Sequence, residues 1–254
     1  MEFALKSASL RLVPHWRANM NERFIRTAAL LGADATERLS AAKIALFGVG
    51  GVGGAVLEAL ARAGVGNIDV FDNDTVAVTN LNRQLIATEQ TIGLKKTDAA
   101  ELRARAINPD IKIGKFNVFY LPENADSIDL SSYDFIVDAI DTVSAKLELA
   151  VRAERLGVPI ISIMGTGNKL NPEELKISDI YKTSFCPLCR VMRTELKKRG
   201  VKKLTCVWSD EKPIKPNELA ETKESGRQAP ASAPFVPIAA GILAAAHIVK
   251  ELTK

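Results

Sequence analysis

Residues 43–72, KIALFGVGGVGGAVLEALARAGVGNIDVFD, constrain the fold of this chain more than any other stretch. Ile44, Ala45, Leu46 and Phe47 form a short apolar run without helical spacing, the pattern of a strand covered on both faces of a parallel sheet. Gly48 ends that run. Gly48, Gly50 and Gly53 fit G-x-G-x-x-G, with Gly51 and Gly54 making the loop barer still. In such a loop one glycine makes the tight turn, one lets backbone N–H groups approach phosphate, and one lets helix and strand pack closely. Residues 55–63 favour helix and Gly64 stops it, so the positive end of the helix dipole faces the loop. Asp72 closes the second strand where an acidic residue holds a ribose hydroxyl in nucleotide-binding units. Glycine turns also occur where nothing binds. Strand, turn, helix, strand and terminal Asp in one unit point to a nucleotide, and both a dinucleotide and ATP use such a unit.

At 254 residues, the chain has the length of one large domain or of one domain with an appendage. Its 47% hydrophobic and 25% charged residues are those of an ordinary soluble globular protein with ample core. Three cysteines do not make a disulfide framework, no run of 18 apolar residues occurs, and the start carries no secretory pattern. A reducing cytoplasm is the expected location. The net charge of +4 is unevenly placed: residues 182–216 hold ten Lys or Arg against three acids. A concentrated basic segment calls for a polyanion.

Residues 1–19 show no periodicity and read as an N-terminal extension, with residues 20–254 as a single domain whose nucleotide-binding core spans about 40–165. A helical pattern over residues 21–39 carries Arg26, with Gly32 as a stop. Asn80, Asn82, Arg83 and Gln84 form a polar knot beyond the carboxyl end of the second strand, where open α/β sheets bind ligands. Lys95 and Lys96 open a helix over residues 97–107, where cations oppose the helix dipole and a phosphate would relieve them. Strands are expected at 111–119, 133–139 and 158–163, with a helix at 144–156 and Asp141 at a strand's carboxyl end. Beyond residue 170 the pattern predicts a basic helix at 188–199, a strand at 204–208, a mobile loop at about 213–234 and an apolar closing helix. The expected class is therefore α/β, a Rossmann-like doubly wound sheet with a glycine-rich loop, followed by basic helix, strand and apolar helix.

In order along the chain, G-x-G-G-x-G, FDND-x-V-x-x-x-N-L-N-R-Q, G-x-x-K and D-A-I-D resemble the ubiquitin-activating-like superfamily of ATP-dependent adenylating enzymes. DAIDTVSAK, ISIMGTGNKLNP and the long segment DIYKTSFCPLCRVMRTELKKRGVKKLTCVWSDEKP are similar, within it, to the tRNA threonylcarbamoyladenosine dehydratases. The resemblance implies a homodimeric enzyme using ATP and Mg²⁺ to turn a carboxylate on tRNA into an acyl-adenylate. It further implies that Gly48, Gly50, Gly51 and Gly53 cradle phosphate, Asp72 holds ribose and Asn80 adds a hydrogen bond. Arg83 and Lys96 would neutralise phosphate, Asp141 would act near Mg²⁺, and Arg26 would reach the partner's ATP site. The basic residues Arg190, Arg193, Lys197, Lys198, Arg199, Lys202 and Lys203 would contact tRNA phosphates, or else form a solvated helix face.

Sulfur-carrier activators of the same superfamily commonly hold zinc on two C-x-x-C pairs. Here only Cys186 and Cys189 make such a pair, Cys206 stands alone, and no metal site is expected. Two rival readings use the same fold: an adenylyltransferase acting on the C-terminal glycine of a sulfur carrier, with a sulfur-relay or desulfurase partner, and a non-catalytic subunit. A nicotinamide dehydrogenase is a third, but it has no use for the charges of N-L-N-R-Q and G-x-x-K.

Overall fold

The computed structural model describes residues 21–217 and 230–254; the N-terminal extension and the middle of the expected 213–234 loop lie outside the described residues. Seven strands form one sheet: β1 (Lys43–Phe47), β2 (Asn67–Phe71), β3 (Lys112–Phe116), β4 (Phe135–Asp138), β5 (Ile160–Ile163), β6 (Leu175–Asp179) and β7 (Thr205–Ser209). Their order is β3-β2-β1-β4-β5-β7-β6. All neighbours are parallel except β6 and β7, which pair antiparallel. Order reverses between β1 and β4, so the crevice beyond their carboxyl ends is the topological switch point.

Among the described residues seven α-helices flank the sheet: α1 (Ile25–Leu31), α2 (Ala33–Ala41), α3 (Gly51–Ala63), α4 (Lys96–Ile107), α5 (Val143–Leu156), α6 (Pro187–Lys198) and α7 (Phe235–Leu252). Ile44, Leu46, Ile68, Val70 and Val137 face α3, α4 and α7 in the largest core cluster, while Phe47, Phe71, Tyr120 and Leu149 fill the opposite layer. The closing helix α7 is long and apolar enough to cross a membrane by length and composition. Here it lies along α3, and the approach is so close that a Cβ on Gly241 would collide with the Val52 carbonyl oxygen. Core packing is the use its buried residues Val236, Ala240, Ala244 and Ile248 serve.

Three features depart from the pattern read in the sequence. Gly32, at φ +94°, breaks the first helical stretch into α1 and α2 instead of only ending it. The strand expected over 111–119 is the five-residue edge strand β3, with no buried residue. Strand β6 was not expected at all; Leu175 and Ile177 alternate inward, but the run is short and ends in Ser178 and Asp179. The described ends of the expected mobile loop are anchored, since Ile214 N–H donates to Asn168 O and Ala231 N–H to Asn168 Oδ1.

Glu58 on α3 fixes the two helices whose first turns approach the switch point. Its carboxylate accepts from Arg103 Nε at 2.6 Å and Nη2 at 2.9 Å, and from Arg62 Nη2 at 2.6 Å. Burial alone would raise its pKa, but the bonds from Arg103 and Arg62 overcome that and hold it below the ordinary value of 4.5. This stabilisation is complete above the unfolded pKa and lost as pH falls through the folded one. Glu58→Gln is therefore expected to cost about 2 kcal/mol at neutral pH, with the gap to the parent closing below about pH 4.5, in chemical denaturation across pH.

Candidate active site

The carboxyl ends of β1, β2 and β4 bring three segments together. Gly48, at φ +83°, turns the chain off β1, its N–H donating to Phe71 O at 2.8 Å. A Cβ there would lie 2.8 Å from Ala139 O, and one on Gly53 would collide with the Gly48 carbonyl oxygen. These two glycines are demanded by the protein itself. Gly50 is different. A Cβ on Gly50 would meet only Gln84 Nε2, at 3.7 Å, so the protein leaves room there that a closely approaching ligand would use. Gly51 begins α3, and the free N–H groups and dipole of that first turn face the same room.

Asp72 braces the turn rather than standing free: Val49 N–H donates to its Oδ2 at 2.8 Å and Asp74 N–H to its Oδ1 at 2.9 Å. Asn80 accepts from Ala77 N–H through Oδ1, leaving its amide NH₂ without a partner among the described residues. Arg83 folds over its own turn, Nη1 donating to Thr79 O at 2.8 Å and Asn82 Oδ1 at 2.9 Å. Lys96, buried at the start of α4, pairs with the exposed Asp74 at 2.6 Å. Asp141 is exposed just beyond β4 and forms no ion pair among the described residues.

Gln84 was named in the sequence only as part of the polar knot. Its side chain is buried against the loop, and Oε1 has no hydrogen-bond partner among the described residues. The open glycine cradle and the two cations fit the phosphates of a nucleotide, while the orphaned Gln84 Oε1, an acceptor, fits a donor such as a ribose hydroxyl or an amino group of the base. Asp138 and Lys146, a wholly buried ion pair at 3.0 Å under the same crevice, were likewise given no role in the sequence reading. A single lysine on the apolar face of α5, between Ala145 and Leu149, is the signal that would have found it.

Arg26 does not join this site. It is exposed on α1 with no ion pair among the described residues, and Phe24, two residues earlier, packs on Gly64, at the far end of α3 from the glycine turn. The length of α3 separates the two ends by about 20 Å.

The basic segment runs along α6, from Cys186 near the carboxyl end of β7 to residues 199–203 at the amino end of the same strand. Arg190, Lys197, Lys202 and Lys203 are exposed and make no side-chain ion pair among the described residues. Lys198 and Arg199 share Glu195, at 2.7 and 2.6 Å. Arg193 turns inward, its guanidinium donating to Thr183 O at 3.0 Å and to Thr183 Oγ1.

Cys186, Cys189 and Cys206 are buried beside one another in the core beneath α6. The thiol bond to Cys189 and burial raise the Cys186 pKa; at Cys189 the bond from Cys186 lowers it, but the Cys206 thiol and burial win and push it up to about 11. Among the described residues no group of three or more His, Cys, Asp and Glu is arranged to hold a metal ion.

Comparison with known proteins shows the family and the fold. Residues 22–254 match the ThiF family. The tRNA threonylcarbamoyladenosine dehydratase of Bacillus subtilis (strain 168) is 37% identical over 244 residues, covering 92% of this chain and 96% of that protein. The enzyme of the same name from Escherichia coli (strain K12) is 31% identical over 256 residues, covering 93% and 94%. The E. coli tRNA N6-threonylcarbamoyladenosine dehydratase solved in complex with AMP superposes with a TM-score of 0.82 at 31% identity over 96% of this chain and 97% of that one, and its ATP complex with 0.80. With the family matched from before α1 to the last residue, the chain is a member of the ThiF family.

Proposed function

We infer that this chain dehydrates N6-threonylcarbamoyladenosine in tRNA with consumption of ATP. The observation that carries the reading is the full-length match to dehydratases of that name, one of them solved with ATP, on a crevice whose glycine turn, orphaned Gln84 and two cations suit a nucleotide. The threonyl carboxylate oxygen attacks the α-phosphorus of ATP and pyrophosphate leaves. The carbamoyl group of the same modification then attacks the activated carbonyl carbon, AMP departs, and one carbamoyl proton is lost. A ring has closed and the nucleoside has lost one water. The second step is intramolecular, so effective molarity supplies most of its acceleration and no enzyme nucleophile is needed.

In this reading Gly48, Gly50, Gly51 and Gly53 seat the phosphates, Asp72 receives the ribose and Asn80 adds a hydrogen bond through its free amide. Arg83 swings from Thr79 onto the phosphates, and Lys96 exchanges Asp74 for them. Mg²⁺ held beside Asp141 would neutralise phosphate charge as pyrophosphate separates. The sulfur-carrier reading uses the same residues, so the discriminating experiment concerns the acceptor. Pyrophosphate and AMP should form with tRNA bearing the modification and not with tRNA lacking it or with a sulfur-carrier protein.

The four exposed, unpaired cations along the α6 flank support a tRNA phosphate contact, in the compartment where tRNA is found, the cytoplasm. Lys197, Lys202 and Lys203 replaced together by Ala are expected to weaken tRNA binding and flatten log K against log salt by roughly 2–3, with ATP binding unchanged. An unaltered slope in filter binding across salt would leave the segment a solvated face.

A homodimer accounts for Arg26, which is exposed, unpaired and remote from its own crevice. If Arg26 serves the partner's site, Arg26→Ala and Asp141→Asn are each expected to be strongly but measurably impaired alone, and mixed, exchanging subunits should recover activity in a tRNA-dependent AMP assay. No recovery would tie Arg26 to a role within its own chain.

A further inference from the structure

The residue preceding Asp141 is held at both of its backbone polar groups. Ile140 N–H donates to Asp138 Oδ1 at 3.3 Å, and the Ile140 carbonyl accepts from Lys146 Nζ at 3.2 Å. The same ammonium donates to Ile163 O at 2.9 Å and pairs with Asp138 Oδ2 at 3.0 Å, where Ser162 Oγ also donates. The ammonium thus meets three oxygens, two of them by hydrogen bond and the third as an ion pair. One group joins the end of β4, the residue before Asp141 and the end of β5.

Both charged side chains are completely buried. Removing two charges from water is an inefficient way to stabilise a fold, since well-packed apolar residues of similar volume commonly do as well or better. Hydrogen bonds to a buried charge supply direction instead: they fix particular backbone atoms at bonding distance. The atoms fixed here belong to the segment that carries Asp141 and that also presents the Ala139 carbonyl to Gly48, 2.8 Å from where a Cβ would lie. This segment therefore sets the spacing between the glycine turn and Asp141. Lys146 cannot itself reach a phosphate, because its side chain has no exposed surface.

We propose that Lys146, through Asp138, Ile140 and Ile163, is a positioning residue that holds Asp141 in register with the glycine turn while the carboxylate is adenylated. The proposal rests on the reading of Asp141 given above. It is tested by a double-mutant cycle of Lys146→Met and Asp141→Asn, measuring single-turnover AMP formation on modified tRNA, ATP affinity by calorimetry, and melting temperature. The expected result is a rate loss on the order of 10²-fold for Lys146→Met at saturating ATP and tRNA, in protein shown to be folded, and almost no further loss when Asp141 is already Asn. Should Lys146→Met not fold, Asp138→Asn with Lys146→Met leaves no unpaired buried charge and takes its place in the cycle. A purely structural clamp would lower the melting temperature and leave the rate per folded molecule at the parental value, or give losses that multiply with that of Asp141→Asn; either result overturns the proposal. Asp141→Asn as fast as the parent would instead overturn the reading of Asp141, and the proposal with it.

Discussion

Arg83→Ala is expected to lower the rate of tRNA-dependent AMP formation by about 10²–10³-fold while leaving the melting temperature close to that of the parent. Transfer at phosphorus needs little covalent help from protein, so its rate follows the charges placed around the phosphates. Arg83 is partly exposed and bonded only to Thr79 O and the neighbouring Asn82, so its loss opens no cavity and strands no buried group. Lys96→Ala should lose comparable rate at a larger structural cost. Its ammonium is nearly buried, but the partner Asp74 is largely exposed and stays solvated, which limits the loss of stability to about 1–2 kcal/mol. Single-turnover kinetics beside thermal melting separates the two effects. A dinucleotide enzyme or a non-catalytic subunit would show neither rate loss.

The second large effect divides the glycines. Gly53→Ala is expected to cost more than about 3 kcal/mol, because its Cβ meets the Gly48 carbonyl, a backbone atom in the turn that cannot move without parting α3 from β1. Gly50→Ala meets no protein atom closer than 3.7 Å. Its ψ of −146° lies just outside the extended region, which costs about 1 kcal/mol. The methyl would nevertheless stand where phosphate is to approach the loop N–H groups. Gly50→Ala should therefore fold and lose ATP affinity by on the order of 10²-fold, whereas Gly53→Ala should fail in stability first. Equal loss of ATP binding and stability at both positions would mean that Gly50 is only a turn residue.

This division was not legible in the sequence, where all four glycines carry the same motif. The motif did fix β1, the turn, α3 and β2, because strand, turn and helix there are decided by neighbours within thirty residues. Strand β6 escaped because its alternation covers only Leu175 and Ile177, and its pairing partner β7 lies some thirty residues further on. The Asp138–Lys146 pair escaped for a related reason: burial of a lysine is set by the meeting of α5 with the ends of β4 and β5, and composition alone reads Lys146 as a surface residue. Arg193 shows the converse case. Its charge counts with the tRNA-facing residues, while its Nη1 donates to Thr183. Charge counts along a helix do not say which cations remain free; among the described residues Arg190, Lys197, Lys202 and Lys203 are the exposed ones without an ion pair.

The most direct test of the account is nucleoside analysis by mass spectrometry of N6-threonylcarbamoyladenosine-bearing tRNA incubated with the protein, ATP and Mg²⁺. The modified nucleoside is expected to lose the mass of one water, with one AMP and one pyrophosphate released per nucleoside converted. An unchanged nucleoside, with ATP consumed only when a sulfur-carrier protein is supplied, would contradict it.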